Sequence, residues 1–256
     1  MNNIKTFENF NNQDIFTYIK NDDIQLIKNY IDSGYDLDII NEYGYTALIW
    51  ATYNNKIEIV KLLLNAGADI NKQDNRGYTA LILATRYDKI EIVKLLLNAG
   101  ADINKQDNYG DTALISAAYY NKIEIVKLLL NAGVDTNKQN NDGYTALISA
   151  ISFNNIEIVE LLLNAGADAD KQDYYNNTAL ILAAYYNYRE VIELLLNYGA
   201  DEFILNDENK SFYDYLNDEY QQYFIQNYPT SVYNAISHNY KKSFTEFVKD
   251  YNVKNN

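Results

Sequence analysis

The sequence predicts an all-α solenoid of short helix pairs, each followed by a projecting hairpin finger, and three observations carry that prediction. A unit of 33 residues is written five times in succession between Asn41 and Leu205. Four of the five carry a near-identical pentad: Gly44-Tyr45-Thr46-Ala47-Leu48, Gly77-Tyr78-Thr79-Ala80-Leu81, Gly110-Asp111-Thr112-Ala113-Leu114 and Gly143-Tyr144-Thr145-Ala146-Leu147. Each is followed at a constant distance by a run such as Ile57-Glu58-Ile59-Val60-Lys61-Leu62-Leu63-Leu64-Asn65-Ala66-Gly67-Ala68-Asp69. A period of this size marks a stacked array, because one unit cannot bury its apolar face alone and its neighbours must cover it.

Taken in chain order, Glu8 to Ile40 aligns with the first clear unit one period back, with Asn11 in place of the turn glycine and Gln13 in place of the threonine. Ile24, Ile27, Tyr30, Ile31 and Gly34 keep the second-helix pattern, so residues 1–40 read as a leader and a degenerate capping repeat whose outer side faces water. The five full units follow as 41–73, 74–106, 107–139, 140–172 and 173–205. In the first, Thr46 precedes Ala47-Leu48-Ile49-Trp50-Ala51, and its hydroxyl can cap the orphan N–H groups of a short first helix. The polar break Asn54-Asn55-Lys56 ends that helix. Ile57, Val60, Leu63 and Leu64 then fit the buried face of a second helix, with Glu58 and Lys61 on its wet side. Gly67, repeated as Gly100, Gly133, Gly166 and Gly199, is the expected left-handed helix stop. From there an extended segment leads to turn residues such as Asp74-Asn75-Arg76-Gly77, which close the finger.

After Leu205 the register weakens. Lys210-Ser211-Phe212-Tyr213-Asp214-Tyr215-Leu216 falls where Tyr45 to Ala51 stands in the first unit, and Pro229, the only proline, stops or restarts the chain. From Val232 to Tyr251 the spacing of Val232, Ala235, Ile236, Phe244, Phe247 and Val248 suggests one more short helix pair. Residues 206–256 therefore read as a degenerate carboxy-terminal repeat and helical cap, with a separate small module as the alternative.

With these motifs laid out, the chain resembles the ankyrin repeat family over roughly residues 8 to 205. The Gly-x-Thr-x-Leu-x-x-Ala start, the Val-x-x-Leu-Leu middle and the Gly-Ala-Asp-x-Asn end recur in one register. The family pattern has Pro and His where this chain has Ala47 and Ile49, and the equivalent pairs of every later unit. The missing proline removes a preorganised first turn; the missing histidine replaces a hydrogen bond by apolar packing.

Composition narrows the function. The net charge of -14, from 35 acidic and 21 basic residues, opposes nucleic acid and anionic membrane as partners. There is no cysteine, hence no disulfide, thiolate chemistry or cysteine-bearing zinc site. No amino-terminal apolar run has signal-peptide length and no segment has the length of a membrane span, so the expected setting is intracellular or cytoplasmic, with delivery into a host cell left open. The expected state is a monomer. No catalytic residue, metal site or cofactor is assigned: His238 is the sole histidine, and no phosphate-binding glycine loop occurs. Asp69, Asp102, Asp135, Asp168 and Asp201 are spaced by whole repeats, which suits hairpin hydrogen bonding rather than a pair around one substrate.

What differs between units carries more information than what is shared. The variable positions are the second, third, fifth, thirteenth and fourteenth, and in the ankyrin family these lie on finger tips and first-helix ends that line a concave binding groove. By that resemblance the contact residues are Tyr43, Tyr45, Tyr53 and, adjoining them, Trp50 in the first unit, and Arg76, Tyr78, Arg86 and Tyr87 in the second. The third supplies Tyr109, Asp111, Tyr119 and Tyr120, the fourth Asp142, Tyr144 and Phe153, and the fifth Tyr174, Tyr175, Tyr185 and Tyr186. Of the fifteen tyrosines between residues 41 and 205, thirteen fall on these five positions, and tyrosine suits protein recognition by its rigid area and its hydroxyl. The competing account is an AT-rich genome filling unconstrained sites. Against it, the outer face of the second helix repeats Asn65, Asn98, Asn131, Asn164 and Asn197 instead of tyrosine. Arg76 and Arg86, near Tyr78, Tyr87 and Trp50, form a candidate hot spot, with plain helix packing as the other reading of Trp50. The expected function is a non-enzymatic scaffold that binds a partner protein in the groove. The alternative is an adaptor whose tail recruits other machinery, of the ubiquitin-ligase type for example, while the repeats choose the target.

Overall fold

A computed structural model of the chain describes residue 11 and residues 14–228. Pro229, His238 and the helix pair expected between Val232 and Tyr251 lie outside the described residues. The fold is all-α, and the only strand-like pairing among the described residues is one antiparallel bridge between Ile40 and Thr46. The chain divides into two compact units, Met1–Val134 and Asp135–Asn256.

The first unit holds α1 (Asp14–Asn21), α2 (Ile24–Asp32), α3 (Ala47–Tyr53), α4 (Ile57–Asn65), α5 (Ala80–Arg86), α6 (Ile90–Asn98), α7 (Ala113–Tyr119) and α8 (Ile123–Asn131). Helices α1, α3, α5 and α7 pack in one row and α2, α4, α6 and α8 in another, each first helix lying against its own second. The second unit repeats the plan with α9 (Ala146–Ser152), α10 (Ile156–Asn164), α11 (Ala179–Tyr185) and α12 (Arg189–Asn197). A 3-10 helix, Phe212–Tyr215, packs on α11, and α13 (Asp218–Asn227) follows, where Arg189 lies 3.4 Å from the Tyr223 ring centroid.

Local chemistry sets each boundary. The threonine caps are made as the sequence suggests: the Thr46, Thr79, Thr112, Thr145 and Thr178 hydroxyls accept from the N–H three residues on, at 3.2 or 3.3 Å. Between paired helices the chain reverses through a left-handed residue, Asn55, Asp88, Asn121, Asn154 or Asn187, types whose short polar side chain tolerates that conformation. The buried stripe of the second helix differs from the sequence reading in one respect. Ile59, Val60 and Leu63 are fully buried, whereas Ile57 and Leu64 are only half-buried. Packing against both the first helix and the neighbouring second helices turns Ile59 inward, a demand no single-face pattern expresses.

The fingers are built from side chain to backbone hydrogen bonds more than from strands. Asp74 Oδ1 accepts from Arg76 N and Tyr78 N, both at 2.8 Å, and Asp74 N donates to the Tyr78 carbonyl at 3.0 Å. Asn41, Asp107, Asn140, Asp173 and Asn206 repeat this double acceptance at the first position of their repeats. Successive fingers are tied by glutamine: Gln73 Nε2 donates to the Gln106 carbonyl at 2.8 Å and Gln139 Nε2 to that of Gln172 at 2.9 Å. The acidic row serves the same framework. Asp102 Oδ1 accepts from Asn104 N, and Asn71 Oδ1 accepts from Asp102 N of the next repeat.

Candidate partner-binding surface

In the first unit the variable side chains gather into an aromatic cluster. Trp50 stacks on Tyr53 with ring centroids 5.7 Å apart and on Tyr43 at 6.3 Å, while Tyr45 leans on Trp50 at 6.0 Å. Tyr87 meets Tyr53 edge-on at 5.4 Å, which carries the cluster into the next repeat. Trp50 is itself half-buried, and its indole N–H donates to the Phe16 carbonyl at 3.1 Å. Packing and presentation are thus combined in one residue: the indole fixes α3 to α1 and supplies the platform on which Tyr43 and Tyr53 stand exposed.

Arg86 lies on one of the rings the sequence suggested, Tyr78, and on Tyr120 in place of Tyr87 or Trp50. Its guanidinium lies 5.0 Å from the Tyr78 ring centroid and 4.9 Å from that of Tyr120, spanning two repeats as a cation–π bridge. Tyr78 is only 5% exposed, so it supports Arg86 instead of offering contact area. Tyr45, Asp111 and Tyr144, at the same fifth position, are half-buried, and the N–H of each is held by the first-position side chain of its own finger. The tips and helix ends are exposed: Arg76, Tyr87, Tyr109, Tyr119 and Tyr120 in the first unit, and Asp142, Phe153, Tyr174, Tyr175, Tyr185 and Tyr186 in the second. Adjacent tyrosines hold each other edge-to-face, with centroids 4.8 Å apart for Tyr119 and Tyr120, 5.6 Å for Tyr174 and Tyr175, and 5.2 Å for Tyr185 and Tyr186.

The second unit also holds a half-open cavity of about 260 Å³ lined by Tyr175, Tyr185, Tyr186 and Tyr215 together with Asn177, Leu182, Asn206, Asp207 and Glu208. Tyr215 occupies the tenth repeat position, where earlier repeats have Trp50, Leu83, Ser116, Ser149 and Leu182. The sequence reading passed over this position except at Trp50, although its variation from repeat to repeat is as large as that of the five positions it did use. Comparing every position across the repeats, including the degenerate sixth copy, would have found it.

Burial leaves a titrating group beneath the finger of the third repeat. Burial pushes the Asp107 carboxyl above its ordinary value, against the opposing pull of the Asp111 and Tyr109 N–H donors and of Arg86. Its second oxygen is buried without a hydrogen-bond partner. A carboxyl with a raised folded-state pKa contributes stability that is fully present below its unfolded value, near 3.8, and is lost as pH rises through the folded value. Asp107→Asn keeps the acceptor for both finger N–H groups and removes the buried charge, as Asn41, Asn140 and Asn206 already do. Urea melts are expected to show the variant more stable than the parent at pH 7, with the gap narrowing toward pH 4. A constant gap would mean that the charge is not the cause.

Among the described residues no group of three or more His, Asp or Glu side chains is placed to hold a metal ion, and no helix is long and apolar enough to cross a membrane. The sequence matches the ankyrin repeat profile in three overlapping stretches, residues 15–107, 75–140 and 114–207. No curated protein matches it significantly. Among solved structures, the chain is similar to the ankyrin repeat domain of Bcl-3, described as a unique member of the IkappaB protein family, with a TM-score of 0.77 and 27% identity over 83% of this chain and 97% of that one. It is also similar to an ankyrin repeat domain from Acinetobacter baumannii AYE, with a TM-score of 0.70 and 39% identity over 74% of this chain and all of that one. Proteins of this kind are typically non-enzymatic modules for protein–protein interaction. The repeat register, the capped helix pairs with their hydrogen-bonded fingers, and the profile match across most of the described residues agree: the chain belongs to the ankyrin repeat family.

Proposed function

We propose that this protein is a non-enzymatic, monomeric scaffold that captures a partner protein through the tyrosine-rich faces of its two units. The observation that carries the reading is the set of exposed, mutually braced tyrosines, Tyr119 with Tyr120 and Tyr185 with Tyr186, at the ends of first helices. A ring already held by its neighbour loses little freedom on binding, so more of the contact energy survives as affinity. The acidic framework favours a partner surface of basic character. Packing of the 3-10 helix Phe212–Tyr215 on α11 supports reading residues 206–228 as a further repeat that covers the fifth, in preference to a separate recruiting module.

The test is affinity capture with the intact chain and with Tyr87, Tyr119, Tyr120 and Tyr186 replaced together by alanine. Capture is expected to fall about 1000-fold, since two lost hot-spot side chains of about 2 kcal/mol each already amount to about 4 kcal/mol. All four side chains are exposed, so melting should move little. Undiminished capture by the folded variant would remove these faces as the contact surface.

A further inference from the structure

The cavity in the second unit has a composition that the general reading of the repeat face does not use. Tyr185 meets Tyr215 at 5.7 Å and 74°, and Tyr186 at 5.2 Å and 79°, so three rings stand roughly at right angles in sequence. Tyr175 supplies a fourth wall, and the carboxylate-bearing Asp207 and Glu208 lie at the border. Aromatic faces carry negative electrostatic potential, and carboxylates nearby add to it. The volume of about 260 Å³ lies just under the range of small-molecule pockets, roughly 300 Å³ and above, so it suits one side-chain head group rather than a cofactor.

Part of the polar lining is tied up within the protein. Asn206 Nδ2 donates to Asn177 Oδ1 and to the Tyr215 hydroxyl, both at 2.8 Å, which fixes Tyr215 in place. Asn206 Oδ1 accepts the Glu208 and Lys210 N–H groups of its own finger, and Asp207 Oδ1 accepts from Asn176 Nδ2. An occupant meets ring faces, the Asp207 charge and tyrosine hydroxyls able to accept from its N–H donors. The chain already displays the pairing: the Lys210 ammonium lies 5.0 Å from the Tyr215 ring centroid and 2.6 Å from a Glu208 carboxylate oxygen, so Glu208 is already neutralised and the Asp207 carboxylate supplies the charge.

We propose that this tyrosine cage takes the ammonium head of a lysine side chain on the partner protein. The proposal rests on the reading of the repeat face as a protein-binding surface and names the group that this corner selects.

The test uses the full chain and small probes, so it does not depend on knowing the partner. N-acetyl-trimethyllysine methylamide, the unmethylated lysine analogue and the neutral norleucine analogue are titrated by NMR, following the tyrosine ring resonances. Saturable binding of both charged analogues is expected, about tenfold or more tighter than that of norleucine. Tyr185→Ala, at an exposed position, should abolish it, and Asp207→Asn should weaken the charged probes alone. Equal binding of the neutral analogue, no saturation in the millimolar range, or unchanged binding by a folded Tyr185→Ala variant would overturn the proposal. If the probes fail while capture by the intact chain still depends on the tyrosines, only the cage falls. If the probes bind while capture ignores the tyrosines, the broader reading falls instead.

Discussion

Replacing Leu96 by alanine is expected to remove about 2–5 kcal/mol of stability, the range for a fully buried leucine whose surroundings relax only in part. Leu96 has no exposure and lies on α6, which packs against α5, α4 and α8. The lost side chain therefore empties a junction of two repeat interfaces, and in a repeat array each interface contributes to holding its neighbours folded. Leu97 is the control, adjacent in sequence but only half-buried, and its alanine variant should cost less than half as much. Urea unfolding followed by circular dichroism at 222 nm measures both. Equal losses would contradict the packing of α6 described above.

The second large effect is expected at Gly77. Its φ is +78°, and a Cβ added there would stand 2.6 Å from the backbone nitrogen of Asn108 in the next finger. That nitrogen donates to the Arg76 carbonyl at 3.0 Å, so the contact is the seam between consecutive fingers. Gly77→Ala has to bear both the left-handed conformation, about 1–2 kcal/mol, and the displacement of a neighbouring backbone. Gly100 provides the comparison: its φ is +82° but nothing lies within 4 Å of an added Cβ, so Gly100→Ala should show the conformational penalty alone. The difference between the two melts measures the seam. The chain contains its own partial relief, since Asn176 and Asn209 occupy the Gly77 position at φ 58°. Beside Asn176 the finger bond from Asp207 N to the Tyr175 carbonyl is 3.2 Å, longer than the 2.9 Å between Tyr174 N and Asp142 O one repeat earlier.

Much of the framework was legible because its causes are local. A threonine oxygen caps the N–H three residues on, a glycine stops a helix through its own φ, and a first-position Asn or Asp closes a finger over four residues. The candidate surface was legible only in outline. The aromatic residues of the thirteenth and fourteenth positions do stand exposed at the ends of first helices, but Arg86 is half-buried and the fifth position, at Tyr78 above all, turns inward. Trp50 is bonded to Phe16, 34 residues away, and Tyr185 meets Tyr215 across nearly a full period. Neither contact is closed within one repeat.

The sequence by itself determined the repeat, its period, its caps and stops, and the family, because each of these depends on interactions closed within one 33-residue unit and is written again in the next. Only the tertiary structure decided which variable side chains are presented and which are consumed as supports, and it alone assembled the tyrosine cage from two successive repeats. The physical reason is that exposure and ring contact belong to the stacking of one repeat on another, where side chains a whole period apart become neighbours.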